Sequence, residues 1–307
     1  MTDSLPLISI IIVNFDTPEI TRECLNSLTK IKAEEFDYQI IVVDNGSQQT
    51  LKLPKKINNQ PIDLIRTEAN IGFTGGNNLG ISHAVKTYNP DYFLLLNSDT
   101  TVDKDFLHEL FLCIQGKNRG IASSKILFEK NYEFYKNDYP KQYLGKIVWF
   151  AGGVIDWQNL MAFHRGVDEV DRDQFDHLTE TDFATGCSML LKRELIEEVG
   201  ILDKKYFLYL EDVDYSLRAS KKGYKIVFCP QSVVYHKNAG SSDGSGSRVH
   251  LYYQTRNRLL FFFKYSSWRR KMTVIRFAFD RLLNGSPIER QAVSDFFLNR
   301  YGKQPVI

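Results

Sequence analysis

Cysteine is scarce in this 307-residue chain, and its four copies, Cys24, Cys113, Cys187 and Cys229, form no C-x-x-C pair. That spacing speaks against a zinc site. Scattered through apolar or mixed segments, the four are expected to be reduced, buried thiols of a cytosolic protein. A charge excess is also missing: 39 Lys and Arg against 37 Asp and Glu leave +2. No nucleic-acid partner is expected on that balance, and any basic surface has to be local. No apolar run reaches the roughly 20 residues that a spanning helix needs. The opening MTDSLPLISIIIVNF has no positive stretch before its short apolar run, so no secretory signal is expected. The chain is therefore expected to be soluble or peripherally attached, in the cytoplasm or at the inner face of the cell membrane. What is present is a hydrophobic content of 43% beside 25% charged residues, enough for a sizeable core in one large domain or two smaller ones.

Along the chain, β-branched runs alternate with helical patterns. ISIIIV (8–13) reads as a buried parallel strand, and Pro18 then opens a helix. QIIVV (39–43) is a second strand ending at Asp44, 62–66 a weaker third, 92–96 a fourth and 121–128 a fifth, with helices over 75–85 and 106–114. This order predicts an α/β fold with a mostly parallel sheet covered on both faces. Ligands of such sheets bind at the carboxyl ends of the strands. Asn14 and Asp16, Asp44 and Asn45, and Asn97 and Asp99 are thus expected along one edge. Residues 131–181 read as an irregular insertion with a few strands. Strands follow near 184–191, 225–228 and 232–235, with a short helix at 193–199, another inside 207–222, and a flexible loop over 239–246. From His250 onward the chain is helical, aromatic and basic.

Glycine is absent where a dinucleotide fold requires it: the turn after the first strand reads NFDTPEI. A phosphate-loop pattern is missing too. The glycines of NIGFTGGNNLG instead precede a later helix. There they either let the backbone approach a ligand at a helix N-terminus or make a plain turn with a helix cap. Asp99 is read in two ways as well, as part of a helix cap region or as a hard-cation ligand beside substrate phosphates. His236, in VVYHKNAGSS, is its candidate co-ligand, or a structural histidine. Imidazole plus carboxylate suits Mn2+ somewhat better than Mg2+. In FLYLEDVDYSLRAS, Leu210, Val213 and Leu217 form the expected buried face. Glu211, Asp214, Tyr215 and Arg218 fall on another, with Asp212 between, which reads either as a solvated face with an acidic first turn favoured by the helix dipole or as the setting of a general base. Crowded carboxylates raise one another's pKa, which suits a general base, but spacing does not choose between Glu211 and Asp212.

Taken together and in order, ISIIIVNFDTPEITRECLNSL, IIVVDNGS, NIGFTGGNNLGI, YFLLLNSDTTV, the long ATGCSMLLKRELIEEVGILDKKYFLYLEDVDYSLRASKKGYKI and VVYHKNAGSS resemble the family 2 glycosyltransferases of the GT-A fold, particularly their rhamnosyltransferase-like branch. The resemblance runs from about residue 8 to 258. It implies a nucleotide-diphosphate sugar donor, an inverting single displacement and a glycan or polyprenyl-diphosphate-linked acceptor. It also implies that Asp44 reads the nucleobase, that Asn14 and Asp16 line the nucleotide pocket with Asn45 beside them, and that Asn70, Gly75 and Gly76 approach ribose and sugar. Asn97-Ser98-Asp99 takes the place of the family's DXD metal motif, with Asn97 for its first acid, which leaves Asp99 and His236 to hold Mn2+ or Mg2+. The Glu211-Asp212 pair matches the base motif, with Asp212 as base and Glu211 as support.

Arg256 is the candidate cation for the leaving diphosphate, or else a solvent-exposed arginine on a basic helix. The expected division is a catalytic domain over 1–245, its nucleotide half ending near 128, and a basic aromatic segment over 246–307. Within the latter, 259–283 either lies in a membrane interface or packs on the core or a second subunit. Two rivals stand beside this reading: a sugar-phosphate nucleotidyltransferase, whose Gly-rich basic loop NFDTPEI does not supply, and a degenerate nucleotide-sugar-binding module.

Overall fold

A computed structural model describes residues 5–57, 60–238 and 246–306. The loop expected over 239–246 lies, save for its last residue, outside them. The elements follow in the order β1 (Leu7–Asn14), α1 (Pro18–Leu28), β2 (Asp37–Asn45), β3 (Lys56–Ile57), β4 (Gln60–Thr67), α2 (Gly72–Thr87), β5 (Tyr92–Asn97), β6 (Thr100–Val102), α3 (Phe106–Ile114) and β7 (Arg119–Phe128). The short strands β8 (Val148–Phe150), β9 (Gly153–Asp156), β10 (Met161–His164) and β11 (Thr179–Glu180) occupy the insertion. Then come β12 (Ser188–Lys192), α4 (Arg193–Glu198), α5 (Glu211–Lys221), β13 (Lys225–His236), α6 (Arg248–Tyr265), α7 (Trp268–Asn284) and α8 (Pro287–Phe297).

The main sheet has the order β11-β13-β7-β12-β5-β1-β2-β4-β3, with β6 on β13 and β8 on β7. It is mixed rather than mostly parallel. The β5-β1-β2-β4 half is parallel throughout, but β12 enters antiparallel between β5 and β7. The β-branched residues of β1 alternate between two cores. Ile8, Ile10 and Ile12 join Cys24, Leu25, Leu28 and Phe106 of α1 and α3, while Ile11 joins Ile81, Ala84 and Tyr215 of α2 and α5. Burial on both faces is what makes the strand read as a continuous apolar run. The register sets Asn14 beside Asp44 and Val13 beside Asn97, so the polar strand tips share one edge.

Two sequence expectations change here, and one open choice is settled. Residues 225–228 and 232–235 are one strand, β13, whose register slips between Cys229 and Val233 around Pro230. Cys113 of α3 and Cys229 of β13 are joined as a disulfide, and only Cys24 and Cys187 remain as buried free thiols. The pairing was invisible in the sequence because 116 residues separate the two. Finally, the choice left open for 259–283 is decided for its first part, which packs on the core as one of a pair of helices. That part closes α6 and puts Leu259, Phe261 and Phe262 into the core, the chain breaks at Ser266 and Ser267, and α7 begins anew. Among the described residues, no helix is long and apolar enough to cross a membrane.

Candidate active site

One cavity of about 390 Å³ opens at the carboxyl edge of the sheet. Val13 and Asn97 through Asp99 come to it from β1 and β5, Gly186 and Cys187 from the turn before β12, Leu208 through Val213 from the start of α5, and His236 from the end of β13. Phe73, Phe134, Trp149 and Phe183 supply an aromatic wall.

Asp99 and His236 are brought together by sheet pairing. β6 runs antiparallel to β13 with His236 opposite Thr100, the residue after Asp99. The His236 Nε2 lies 3.0 Å from Asp99 Oδ1, both side chains are buried, and the Lys237 amide donates to the Asp99 carbonyl at 2.9 Å. Trp149 packs edge-on against the imidazole at 4.5 Å, and the ring's Nδ1 is buried with no hydrogen-bond partner among the described residues. An imidazole nitrogen and a carboxylate oxygen, neighbours at the cavity wall, fit one borderline-hard divalent cation. Asn97 lines the same cavity and is neutral, so it offers an amide where an acid would add charge. A separate acidic cluster, Asp171, Asp173 and Asp176, already carries the Lys125 ammonium at 2.9 Å from Asp171 and 2.6 Å from Asp176.

Glu211 and Asp212 begin α5, and their surroundings separate them. The Asp212 carboxylate accepts from the Gly186 amide at 2.9 Å and from the Val213 amide at 2.8 Å. Burial raises its pKa, and those amides pull it back. Glu211 has a buried Oε2 without any partner, and burial together with the Asp212 charge holds its carboxyl well above the usual range. The pair therefore divides into a Glu211 whose neutral form burial favours and an Asp212 whose charged form is stabilised by hydrogen bonds. His164, which the sequence reading passed over, also reaches the cavity. Its Nδ1 contacts the Trp149 carbonyl at 3.2 Å, and burial lowers its pKa to about 4, so the ring is neutral near pH 7.

The nucleotide-side residues form a different, self-satisfied cluster. Asn14 donates to Asp44 Oδ1 at 3.0 Å and to Ser47 at 3.1 Å, while Arg66 donates to Asp44 Oδ2 at 2.9 Å. Arg66 is a partner that the sequence reading did not single out. Asp16 is exposed, with a left-handed backbone, and its carboxylate accepts from the Gln48 amide at 2.7 Å. Asn45 and Asn70 bond to one another at 3.2 Å and clasp the loop before α2, through the Ile71 and Gly72 amides. Gly76 faces β1: a Cβ there would stand 2.7 Å from Val13 Cγ1. One turn on, a Cβ at Gly80 would stand 2.4 Å from Ile11 Cγ2, and at Gly75 it would meet the Ile71 side chain at 3.0 Å. Gly76 and Gly80 are small so that α2 can approach the sheet, while Gly75 faces Ile71 at the start of its own helix.

Two further expectations are overturned by burial. Arg256 is neither a diphosphate ligand nor an exposed arginine. It is completely buried away from the cavity lining, and it donates to the carbonyls of Gly302 at 2.7 Å, Lys205 at 3.1 Å and Tyr206 at 3.0 Å. Asp214 does not lie on a solvated face of α5. It is fully buried and accepts from Tyr206, Arg218, Lys264 and Tyr265 at 2.8–3.1 Å.

A mixed sheet with polar strand tips at one edge, a carboxylate–imidazole pair and a second carboxylate pair in one cleft define the class: a GT-A-fold enzyme that transfers a sugar from a nucleoside diphosphate. The family model "Glycosyltransferase like family 2" matches residues 6–258, and the chain belongs to that family. It is 25% identical to the low-salt glycan biosynthesis hexosyltransferase Agl10 of Haloferax volcanii over 253 residues, 82% of this chain and 74% of that protein. It is 24% identical to the rhamnosyltransferase WbbL of Escherichia coli, over 92% of this chain and 97% of that one. In fold it is similar to GalNAc-T7, solved with UDP, GalNAc and Mn2+, with a TM-score of 0.66 at 16% identity, over 95% of this chain and 55% of that chain.

Proposed function

We propose that this protein is an inverting glycosyltransferase of cell-surface polysaccharide synthesis. It moves rhamnose or a related sugar from a nucleoside diphosphate to a hydroxyl of a glycan or polyprenyl-diphosphate-linked acceptor. The observation that carries this reading is the convergence of Asp99, His236 and the adjacent Glu211 and Asp212, from three distant stretches of chain, on one cavity. The likeness to WbbL supports rhamnose as the sugar.

In the reaction, the acceptor hydroxyl rests against the aromatic wall and gives its proton to the Asp212 carboxylate. The freed oxygen bonds to the anomeric carbon as that carbon's bond to the diphosphate oxygen breaks on the opposite face, so the configuration inverts. Gly186 and Val213 hold Asp212 in place and stabilise its charged form. Asp99 and His236 are the residues that would hold a divalent cation, which when bound stabilises the charge gathering on the leaving diphosphate.

A thermal-shift series with dTDP-rhamnose, UDP-sugars and GDP-sugars, with and without Mn2+, tests the reading. A ligand of the folded state must raise the melting temperature by mass action. One nucleotide sugar should stabilise the protein, more so with Mn2+, and be consumed when a matching acceptor is added. No stabilisation by any donor with the metal present would overturn the proposal.

Contact with an anionic bilayer belongs to the same reading. On α7, Trp268, Met272, Phe279 and Leu283 are exposed along one stripe, with Arg269 and Arg276 beside it. That is the composition of an interfacial helix, and it would set the cavity near a lipid-borne acceptor at the inner face of the membrane.

A further inference from the structure

The loop that delivers Asp212 to the cavity runs through an unfavourable course. Phe207, Tyr209 and Leu210 all have left-handed backbones, with φ of 64°, 70° and 66°, although none is glycine. Such conformations are unfavourable for residues that carry a Cβ. Leu210 caps α5, so this course sets where Glu211 and Asp212 start. The loop is held by two adjacent side chains of α6. The Asn257 amide nitrogen reaches the carbonyls of Tyr206 at 2.9 Å, Leu208 at 2.7 Å and Tyr209 at 2.9 Å. Its amide oxygen accepts from Arg256 Nε at 3.0 Å and Nη2 at 2.9 Å, which fixes the orientation of the amide. Arg256 adds its own bonds to Lys205 and Tyr206 and ties in the C-terminal tail at Gly302. Both side chains are completely buried. From the other side, the Thr74 amide of α2 donates to the Phe207 carbonyl at 3.2 Å.

We infer that Arg256 and Asn257 are positioning residues of the transferase: they hold the strained 205–210 loop in the course that aims Asp212 at the acceptor hydroxyl. The C-terminal helices are then a working part of the active site. The bonds that Asn257 donates all go to main-chain carbonyls, so they dictate backbone course without depending on the loop's side chains. This inference rests on Asp212 being the base.

The test is Asn257→Leu, which keeps the volume and removes the amide, read by steady-state kinetics, donor calorimetry and amide hydrogen exchange over 205–214. A displacement of the base by an ångström is worth about a hundredfold in rate. The expected result is a loss of that order in kcat with donor affinity unchanged within threefold, and faster exchange confined to 205–214. Adding Tyr209→Gly, which takes the left-handed course without strain, should recover at least tenfold of the lost kcat. Should Asn257→Leu fail to fold, Arg256→Lys replaces it, with an expected tenfold loss in kcat and the same pattern of exchange. A folded variant with faster loop exchange but unchanged kcat overturns the inference, and so does a loss of kcat that only follows the fraction folded. Full turnover by Asp212→Asn would instead overturn the base assignment, and the exchange data would still show whether the clamp holds the loop.

Discussion

Two neighbouring carboxylates with different environments make opposite predictions under the same isosteric change. Asp212→Asn removes the proton acceptor, so kcat should fall by roughly 10²–10⁴-fold, the usual worth of a positioned base, while calorimetry shows donor affinity retained. Glu211→Gln replaces a group whose neutral form burial favours and which is not the proposed proton acceptor, so most of the turnover should survive. The reverse result would exchange the two roles. The pH dependence follows from the same environments. Activity should rise with pH through the raised pKa of Asp212, giving an acid limb of kcat/KM above the ordinary aspartate value of about 3.9. Stability runs the other way for Glu211. Its folded pKa lies above its unfolded one, so the folded state holds more protons, and the contribution present below about pH 4.3 is lost as pH rises toward the folded value. Glu211→Gln should therefore melt higher than the parent at pH 8, with the difference shrinking toward pH 4, as melting curves at both pH values would show. Asp99→Ala should abolish the effect of Mn2+ on donor affinity. Unchanged calorimetric titrations with and without the ion would remove Asp99 from that role.

The helix α2 shows why its glycines matter. Gly76 and Gly80 stand one turn apart on the face that meets β1, where a methyl group would press into Val13 and Ile11. Gly80→Ala should destabilise the fold by about 1–3 kcal/mol through overpacking, read from urea midpoints. An unchanged midpoint would mean that α2 is free to move outward. The sequence reading placed these glycines near a ligand because a glycine-rich stretch at a helix start has two uses, backbone approach to a ligand and backbone approach to a strand. Only the neighbour distinguishes them. The same holds for α5. Its 3.6-residue period implied one buried face, but α6 covers a second, and the Asp214 carboxylate finds donors in Lys264 and Tyr265, fifty residues away in sequence.

For the protein as a body, the division of labour lies between a sheet edge that carries chemistry and a helical end that carries both buttress and surface. If α7 docks on lipid, the intact protein should float with anionic phosphatidylglycerol vesicles at low salt and be released as salt rises. Trp268→Glu with Leu283→Glu should reduce binding at least tenfold, without altering the melting temperature, since both side chains are more than 70% exposed. Absence of flotation by the parent at low salt would refute the bilayer contact. Sedimentation showing a dimer broken by the same double variant would assign the stripe to a second copy.

Local pattern determined much of this protein. The β-branched runs, the acid or amide closing each strand, and the order of the motifs were legible because strand burial and turn chemistry are written in consecutive residues. They were enough to place Asp44, Asp99, Asp212 and His236 at the ends of specific elements. What only the tertiary structure decided is who stands next to whom. It paired Cys113 with Cys229, set Arg66 on Asp44, and sent Arg256 inward to hold a loop rather than outward to a phosphate. It also left one buried carboxyl oxygen of Glu211, Oε2, without a partner among the described residues while giving Asp212 the Gly186 and Val213 amides. Each of these turns on burial and on partners tens of residues away, and those terms, rather than the identity of the side chain, set the charge a group carries and the work it does.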